Sequence, residues 1–305
     1  MPPLPKDIPK YASLLQLCCT TKNLQKLHQI HAQTIKLSIS YNDFTRSKLI
    51  SAYTSCSQIS DAHFIFSLCN RQSTFLYNTL IRGYSSIKKF DLSLDIFRQM
   101  IFFRKEIDSN TLPAVLKSVA AVSGLRVGKR VHGYALVRGF GSDLAHCNAL
   151  INVYGKSGDM VYARKVFDEM PEQNLITWCA MMSVYGMHGQ FDEVFGLFDE
   201  LLIRGVELDA VVFTTVLTAC SHGGRVETGK EYFKMMTDVF KLKPSMEHYT
   251  CMVDMLGRSG RIEEAKDLIE KMKIEPDEAL WRAFLGACKF HRESEIIVRG
   301  RYYYV

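Results

Sequence analysis

The chain has 305 residues, of which 47% are hydrophobic and 23% are charged, and its formal net charge is +6. These values are typical of a water-soluble globular protein with enough apolar residues for a large core. The small basic excess favours a polyanionic partner, but it is too low to indicate nucleic-acid binding driven by charge alone.

The N-terminal residues 1–10 are rich in proline and contain both Lys and Asp, a poor match to an Arg-rich, acid-poor transit peptide. The nine cysteines include no C-x-x-C pair, and no secretory leader precedes them. We therefore expect free thiols in a reducing compartment, with no metal site and no cofactor. Apolar runs are far shorter than the roughly 18 residues of a membrane-spanning helix, so we expect no membrane partner.

A repeated helical pattern runs along most of the chain. Around Ala163, apolar residues at i, i+4 and i+7 mark one face of an amphipathic helix. The small residue of this pattern recurs at Ala62, Ser93, Gly128, Ala163, Gly229 and Ala265, with Val194 as the exception. Four positions later stand Phe66, Phe97, His132, Phe167, Phe198, Phe233 and Ile269. The successive spacings of 31, 35 or 36 residues indicate an internal repeat.

A second apolar block precedes each of these helices, and glycines often lie between the two. The blocks include residues 77–84, 147–154, 178–185 and 249–256, and the glycines are Gly158, Gly189, Gly224 and Gly260. Glycine suits a helix end that needs a left-handed residue, and no sustained alternation predicts a strand. Since one hairpin cannot bury its apolar face alone, we predict an all-α fold. It should be a right-handed superhelical solenoid of helix-turn-helix repeats with an extended concave surface.

Four segments carry the repeat most clearly: YNTLIRGY at 77–84, CNALINVYGKSGDMVYARKVFDEMPEQN at 147–174, TWCAMMSVYGMHG at 177–189 and VVFTTVLTACSHGG at 211–224. These segments resemble plant pentatricopeptide repeats of the kind in which P, long L and short S repeats alternate. Residues 248–288 resemble the last repeat of that family running into its C-terminal E region.

The resemblance implies eight repeats between an N-terminal extension, 1–7, and a partial E motif, 278–305. The repeats are L at 8–42, S at 43–73, P at 74–108, L at 109–143, S at 144–174, P at 175–209, L at 210–245 and S at 246–277. The tail of the E motif, residues 296–305, departs from the family's pattern.

The family reads one base per repeat, with the fifth and the last residue of each repeat. Asp at the last position can only accept hydrogen bonds, which suits the ring N–H of uracil or guanine, whereas an amide suits cytosine or adenine. Three repeats match the family's combinations: Asn78 with Asp108 for uracil, Asn148 with Asn174 for cytosine, and Thr250 with Asp277 for guanine. The resemblance therefore implies a target of the form U, gap, C, gap, gap, G.

The other five repeats carry pairs whose base stays open. They are Ser47 with Ser73, Cys179 with Asp209, Ala12 with Asn42, Pro113 with Asp143, and Thr214 with Ser245. A structural role is the alternative for the polar residues. Asn78 and Asn148 would then solvate a helix start. The acidic residues that precede a helix are also good N-caps, and they are Asp108, Asp143, Asp209 and Asp277.

One triplet, His291-Arg292-Glu293, fits the first motif of a zinc nucleobase deaminase. The P-C-x-x-C motif that supplies the other zinc ligands does not follow it, so a chance match is the better interpretation. In the family the deaminase domain lies downstream of the E region. We therefore expect no catalytic site in this chain, and any deaminase to act in trans.

Two residue types that often carry chemistry have a structural interpretation here. Cys18, Cys220 and Cys288 share the eleventh position of their repeats, where a small apolar side chain packs well. His31 and His132 share one position on the second helix of L repeats, and we expect them to pack rather than to catalyse.

The resemblance implies a protein that binds single-stranded RNA in an organelle, the mitochondrion or alternatively the chloroplast. The E-like segment from Trp281 to Cys288 favours a site-recognition factor for C-to-U RNA editing. Its partners would be a deaminase-bearing pentatricopeptide repeat protein or other editing factors in trans. Two alternatives stay open: a factor in RNA stability, splicing or translation, and a helical scaffold that binds proteins. No small-molecule substrate is expected.

Overall fold

The computed structural model describes residues 7–291, which form seventeen α-helices and no strand. The helices are α1 (Asp7–Thr21), α2 (Leu24–Lys36), α3 (Asp43–Ser55), α4 (Ile59–Ser67), α5 (Thr74–Ser86), α6 (Phe90–Phe102), α7 (Thr111–Ala121), α8 (Leu125–Val137), α9 (Leu144–Lys156), α10 (Met160–Glu169), α11 (Leu175–Met187), α12 (Phe191–Ile203), α13 (Ala210–Gly223), α14 (Val226–Lys234), α15 (Met246–Arg258), α16 (Ile262–Lys271) and α17 (Glu278–Phe290). A π-helical segment, Met235–Val239, continues α14. Arg292, Glu293 and the tail 296–305 lie outside the described residues, as do residues 1–6 of the predicted N-terminal extension.

Packing divides the helices into two compact units, the first ending at Ser157 and the second starting at Gly158. In the first unit the odd-numbered helices α1 to α9 pack side by side in chain order, and α2 to α8 pack against them. In the second unit the odd-numbered helices α11 to α17 and the even-numbered α10 to α16 follow the same arrangement. We call these sets the odd layer and the even layer of each unit. The predicted all-α stack of helical hairpins is confirmed.

Each turn from an odd helix to the next even helix in residues 7–291 contains one residue with left-handed φ. Glycine takes this position at the predicted Gly158, Gly189, Gly224 and Gly260, with φ from 66° to 79°. Residues with a Cβ take it in the first four turns, at Lys22, Ser57, Lys88 and Ser123, with φ from 50° to 61°. Because a residue with a Cβ disfavours this region, these four turns are held by the packing of the two helices that each of them connects.

Aromatic contacts join successive hairpins within each unit. The Phe four positions after the small residue of an even helix packs on the aromatic ring at the fourth position of the next odd helix. The pairs are Phe66–Tyr77, Phe167–Trp178, Phe198–Phe213 and Phe233–Tyr249, with centroid separations of 5.0, 5.0, 5.6 and 5.7 Å. Such tilted and edge-on pairs each contribute about 0.5–1.5 kcal/mol beyond their buried area.

Polar contacts also join successive hairpins in the first unit. His31 Nδ1 lies 2.8 Å from Tyr53 Oη, and His132 Nδ1 lies 2.9 Å from Tyr154 Oη. Burial lowers the pKa of His31, which favours a neutral ring between the helices. The packing role expected for His31 and His132 is confirmed, with a hydrogen bond to a tyrosine added to it.

The cysteines that share the eleventh repeat position are fully buried, as predicted: Cys18, Cys220 and Cys288. Burial raises the pKa of the Cys18 thiol, and raises that of Cys220 to about 12. All nine cysteines lie in the described part of the chain, and each is a free thiol. In that same part, no helix has the length and apolar character needed to cross a membrane, and no three His, Cys, Asp or Glu residues are grouped to hold a metal ion.

The small residue of the even helices lets the next odd helix approach closely. Its position is fully buried at Ala62, Ser93, Ala163 and Ala265. A Cβ added to Gly128 would lie 2.6 Å from Val153 Cγ1, and one added to Gly229 would lie 2.5 Å from Met255 Sδ. Since these distances are well inside van der Waals contact, the small residue sets the spacing of neighbouring hairpins.

We predict that Gly128→Ala destabilises the chain although alanine is the better helix former. The new Cβ would collide with the branched Val153 side chain, and overpacking costs about 1–3 kcal/mol, against roughly 1 kcal/mol gained in helix propensity. Gly133→Ala is the matched control in the same helix, because its Cβ would meet nothing within 4 Å. Urea unfolding should show a lower midpoint for the first variant and a higher one for the second. Equal shifts would contradict the account.

Candidate nucleic-acid interface

The polar residue that ends a predicted repeat usually caps the odd helix that follows. Side-chain oxygens accept from backbone N–H groups of the first turn at Asn42, Asp143, Asn174, Asp209 and Asp277. Ser245 forms a capping box with His248, whereas Ser73 makes no side-chain cap. Each cap satisfies a donor that has no partner inside its helix. The N-cap role expected for three of the aspartates is confirmed.

Asp108 departs from this arrangement. Its helix, α7, begins at Thr111, and the N-cap residue Asn110 makes no side-chain cap. Asp108 Oδ1 accepts instead from the backbone N–H groups of Asn110 at 3.0 Å and of Thr111 at 2.8 Å. The simple N-cap predicted for Asp108 is therefore wrong, because its carboxylate holds a turn that precedes the helix.

Capping determines which polar atom an end residue leaves available. Asn174 Oδ1 accepts from both the backbone N–H and the hydroxyl of Thr177 at 3.0 Å. Its amide nitrogen is then the group left without a partner in the described part of the chain. Asp209 and Asp277 accept through Oδ1 at 3.1 and 2.9 Å, which leaves Oδ2. The same structural position can therefore offer a hydrogen-bond donor or an acceptor, depending on the residue.

Asn78, Asp108 and Thr111 form a hydrogen-bonded cluster in the first unit. Asn78 Nδ2 donates to Asp108 Oδ1 at 3.0 Å. The Thr111 hydroxyl lies 2.8 Å from both Asn78 Oδ1 and Asp108 Oδ1, and its single hydrogen serves one of them at a time. Asn78 is only 2% exposed, so the alternative that it merely solvates a helix start is wrong. The same burial requires Asn78 to rotate before a base can contact it.

The Asp108 carboxylate is the group of this cluster best placed to meet a ligand. Burial alone would raise its pKa, but hydrogen bonds from Thr111, Asn78 and Asn110 outweigh burial and hold the pKa below its usual value. The group is thus ionised at neutral pH and can only accept. Its Oδ2 has no partner in residues 7–291, and an acceptor at this point matches a ring N–H of uracil or guanine.

Asn148 and Asn174, the predicted cytosine pair, belong to different units. Asn148 is half-buried in α9 of the first unit, and Asn174 caps α11 of the second. Asn148 Oδ1 is buried and finds no hydrogen-bond partner among the described residues. An unpaired buried acceptor is costly, and the amino group of cytosine is a donor that would satisfy it.

The other predicted positions bond within their own surroundings. The hydroxyls of Ser47 and Thr250 donate to the backbone oxygens of Phe44 and Met246 in their own helices, at 2.7 and 2.9 Å. Burial raises the pKa of the Cys179 thiol, which stays protonated. Unlike Asn78, none of these side chains forms a hydrogen bond to the residue that ends its own repeat. Those end residues are Ser73 for Ser47, Asp277 for Thr250 and Asp209 for Cys179.

The third position of the predicted repeats was missed from the sequence. Thr111 occupies it in one repeat and bonds Asn78 at the fifth position of the repeat before. In the second unit His248 occupies it, and its Nε2 lies 3.1 Å from Thr214 Oγ1, again at the fifth position of the preceding repeat. The third residue of one repeat thus orients the fifth residue of its neighbour.

Two residues at this third position lack such a partner. The preceding repeats carry Ala12 and Pro113 at their fifth positions, and neither has a polar side-chain atom. Accordingly, Thr45 Oγ1 and both ring nitrogens of His146 are buried without a hydrogen-bond partner among the described residues. Burial, with a smaller effect of His132, lowers the pKa of His146 to about 4, so this ring is neutral.

Exposed apolar side chains stand at the second position of four odd helices. They are Phe44, Phe75, Ile176 and Val211, and their exposed fractions range from 45% to 67%. Each lies three residues before the fifth position and hence on the same helix face. Aromatic side chains stack on bases, and aliphatic ones give apolar contact. An alignment of the repeats with one another would have revealed these recurrent apolar residues at the second position.

Comparison with solved structures identifies the class of fold to which this arrangement of helices belongs. The pentatricopeptide repeat protein PPR10 in complex with an 18-nt psaJ RNA element matches with a TM-score of 0.72 and 15% identity, over 88% of this chain and 42% of that one. A structure of PPR10 from maize matches with a TM-score of 0.59 and 17% identity, over 93% of this chain and 48% of that one. The chain is therefore an α-solenoid of helix-turn-helix repeats.

Sequence comparison gives the family. The model described as PPR repeat matches residues 75–103, 145–175, 211–238 and 247–275, and the PPR repeat family model matches 173–222. Two Arabidopsis thaliana relatives are the pentatricopeptide repeat-containing proteins At1g06140, mitochondrial, and CRR2, chloroplastic. The first is 36% identical over 88% of this chain and 48% of its own length, and the second is 33% identical over 95% and 44%. The chain belongs to the pentatricopeptide repeat family, and it spans about half the length of these relatives.

Thr111→Val should destabilise the chain by about 1–2 kcal/mol, because it leaves Asn78 Oδ1 buried and unpaired while keeping the side-chain shape. Thr79→Val is the matched control, since the Thr79 hydroxyl bonds only the backbone oxygen of Phe75, at 2.8 Å. Urea unfolding measures both variants. Equal stability of the two would show that the cluster contributes nothing.

Proposed function

We propose that this chain binds single-stranded RNA along the exposed face of its odd layers, one base per repeat, in a plant organelle. The mitochondrion is our first choice and the chloroplast the alternative. The observation that carries the proposal is the capping residue at the repeat ends, which uses one polar atom in the fold and leaves a second as donor or acceptor. The RNA in the PPR10 complex and the organelle names of the relatives support it.

The proposed target keeps the form U, gap, C, gap, gap, G. Asp108 Oδ2 supplies the acceptor for uracil, and Asn78 completes the pair after rotating from its cluster. The cytosine assignment takes Asn148 and Asn174 from the resemblance, and each of them keeps one polar group that the fold leaves available. Asp277 Oδ2 supplies the acceptor for guanine, with Thr250 at the fifth position. The exposed apolar side chains three residues before the fifth positions would contact the bases.

Asp108→Asn should exchange the preference at the first base of this target from uracil to cytosine. An asparagine keeps Oδ1 for the turn and replaces the acceptor Oδ2 by a donor. We expect roughly tenfold weaker binding of the uracil RNA and tighter binding of the RNA with cytosine there, measured by fluorescence anisotropy.

Asp159→Asn is the matched control, because Asp159 caps an even helix and its replacement removes the same charge. It should leave the base preference unchanged. If both variants change the affinity for RNA equally, the effect comes from the lost charge alone. If the parent binds a scrambled RNA as tightly as the target, the proposed base assignment is wrong.

We further propose that the bound site is one of C-to-U RNA editing, with the deaminase supplied in trans by another pentatricopeptide repeat protein or editing factor. Residues 248–288, which resemble a last repeat leading into an E region, support this, and α17 stacks on α15 there. Plants that lack the protein should lose conversion at one or a few cytidines just 3′ of its footprint, as measured by organelle transcript sequencing. Unchanged editing with altered transcript ends would favour a role in RNA processing instead.

A further inference from the structure

A groove of about 600 Å³ opens on the odd layer of the first unit, next to the cluster of Asn78 and Asp108. Its walls come from α5, from the residues around the start of α7, and from the start of α9. Four lining side chains carry its chemistry: Arg82 and Ser85 of α5, Lys117 of α7, and Asp143 before α9.

Arg82 and Lys117 are exposed cations on neighbouring odd helices. Arg82 Nε donates to the backbone oxygen of Asn78 at 3.3 Å, which places the guanidinium beside the base-contacting cluster. Neither side chain makes an ion pair within the described part of the chain. Two unpaired cations in one groove attract an anion, and a guanidinium presents a fork of N–H donors that matches phosphate oxygens.

Ser85 provides a second, independent indication of a ligand. It is 4% exposed and lines the groove, and its hydroxyl has no hydrogen-bond partner in residues 7–291. A buried hydroxyl without a partner costs free energy, and rotation of the Ser85 side chain toward the groove would let an oxyanion there accept its hydrogen bond.

The acidic residues restrict where an anion can lie. Asp143 stands at the α9 end of the groove, where its Oδ1 accepts from the His146 backbone N–H at 2.8 Å. Asp108 Oδ1 is occupied by its own cluster, and its Oδ2 is left for the neighbouring base. The favourable location is therefore between α5 and α7, next to Arg82 and Lys117, rather than at the α9 end of the groove where Asp143 lies.

We propose that this groove is a phosphate subsite: Arg82, Lys117 and Ser85 bind one phosphodiester of the RNA strand, next to the nucleotide that meets Asp108. The inference rests on the proposed RNA binding. It assigns contacts with the RNA backbone to the ninth position of two successive repeats, Arg82 and Lys117, and to the twelfth position of the first, Ser85. It also explains how the strand is held in register while Asn78 rotates out of its cluster.

The double variant Arg82→Gln/Lys117→Gln tests the subsite. It should weaken binding of the target RNA several-fold at low salt and make the plot of log affinity against log salt shallower by about 0.7, the value for one phosphate of a single strand. The preference for uracil over cytosine at the first base should be unchanged, because no base contact is removed. Lys89→Gln/Arg126→Gln is the control, since it removes the same charge from exposed side chains outside the groove.

Ser85→Ala separates a ligand contact from a structural role. It should raise the urea midpoint of the free chain, because it removes an unpaired buried hydroxyl, and it should weaken RNA binding without changing the salt slope. A rise in stability with unchanged RNA affinity would remove Ser85 from the subsite.

The outcomes separate the subsite from the proposed function. If the parent binds no RNA, both fail together. If the parent binds RNA but the groove variant and the control have the same salt slope, only the subsite is wrong. A last experiment measures unfolding in the presence of inorganic phosphate at matched ionic strength. If phosphate raises the unfolding midpoint of the parent but not of the groove variant, while both bind RNA alike, the groove takes free phosphate and the RNA assignment is overturned.

Discussion

The fold and the proposed site both depend on one interaction, the hydrogen bond from the first turn of an odd helix to the side chain that ends the preceding repeat. This bond fixes where the helix begins, and it fixes which atom of the capping side chain remains available. In Asn174 the remaining group is an amide donor, and in Asp277 it is a carboxylate acceptor. Because the cap and the proposed base contact use different atoms of one side chain, the residue can change between Asn and Asp without loss of the cap.

The spacing between hairpins is set by a separate feature, the small residue on most even helices. Gly128 and Gly229 admit Val153 and Met255 at distances that leave no room for a Cβ. Aromatic pairs, such as Phe167 on Trp178, add contacts between four pairs of neighbouring hairpins. Close and repeated packing of this kind keeps the capping residues of a unit at regular intervals, and a regular interval is what the proposed binding of one base per repeat requires.

Much of the fold was predictable because it rests on local patterns that recur. The i, i+4 and i+7 apolar residues predicted the even helices, and the left-handed glycines such as Gly189 and Gly260 predicted the turns. The equivalent turns at Lys22, Ser57, Lys88 and Ser123 carry no such signal, since residues with a Cβ adopt left-handed φ only under the constraint of surrounding packing.

The site was less predictable, because its geometry depends on contacts between repeats. Asp108 was expected to cap a helix directly, yet α7 starts at Thr111 and the carboxylate holds the preceding turn. The burial of Asn78 follows from Thr111, 33 residues away in sequence. Similarly, the ring nitrogens of His146 lack a hydrogen-bond partner among the described residues because the preceding repeat has a proline at its fifth position. No single-repeat pattern contains these pairs, although alignment of the repeats would place their positions side by side.

The most direct measurement is selection of the chain's ligands from a library of random single-stranded RNA, followed by sequencing of the bound fraction. The account predicts enrichment of U, C and G in that order from 5′ to 3′, with one unselected base between the first two and two unselected bases between the last two. Binding without positional preference, or a preferred pattern with different spacing, would contradict the claim that the capping residues select the bases.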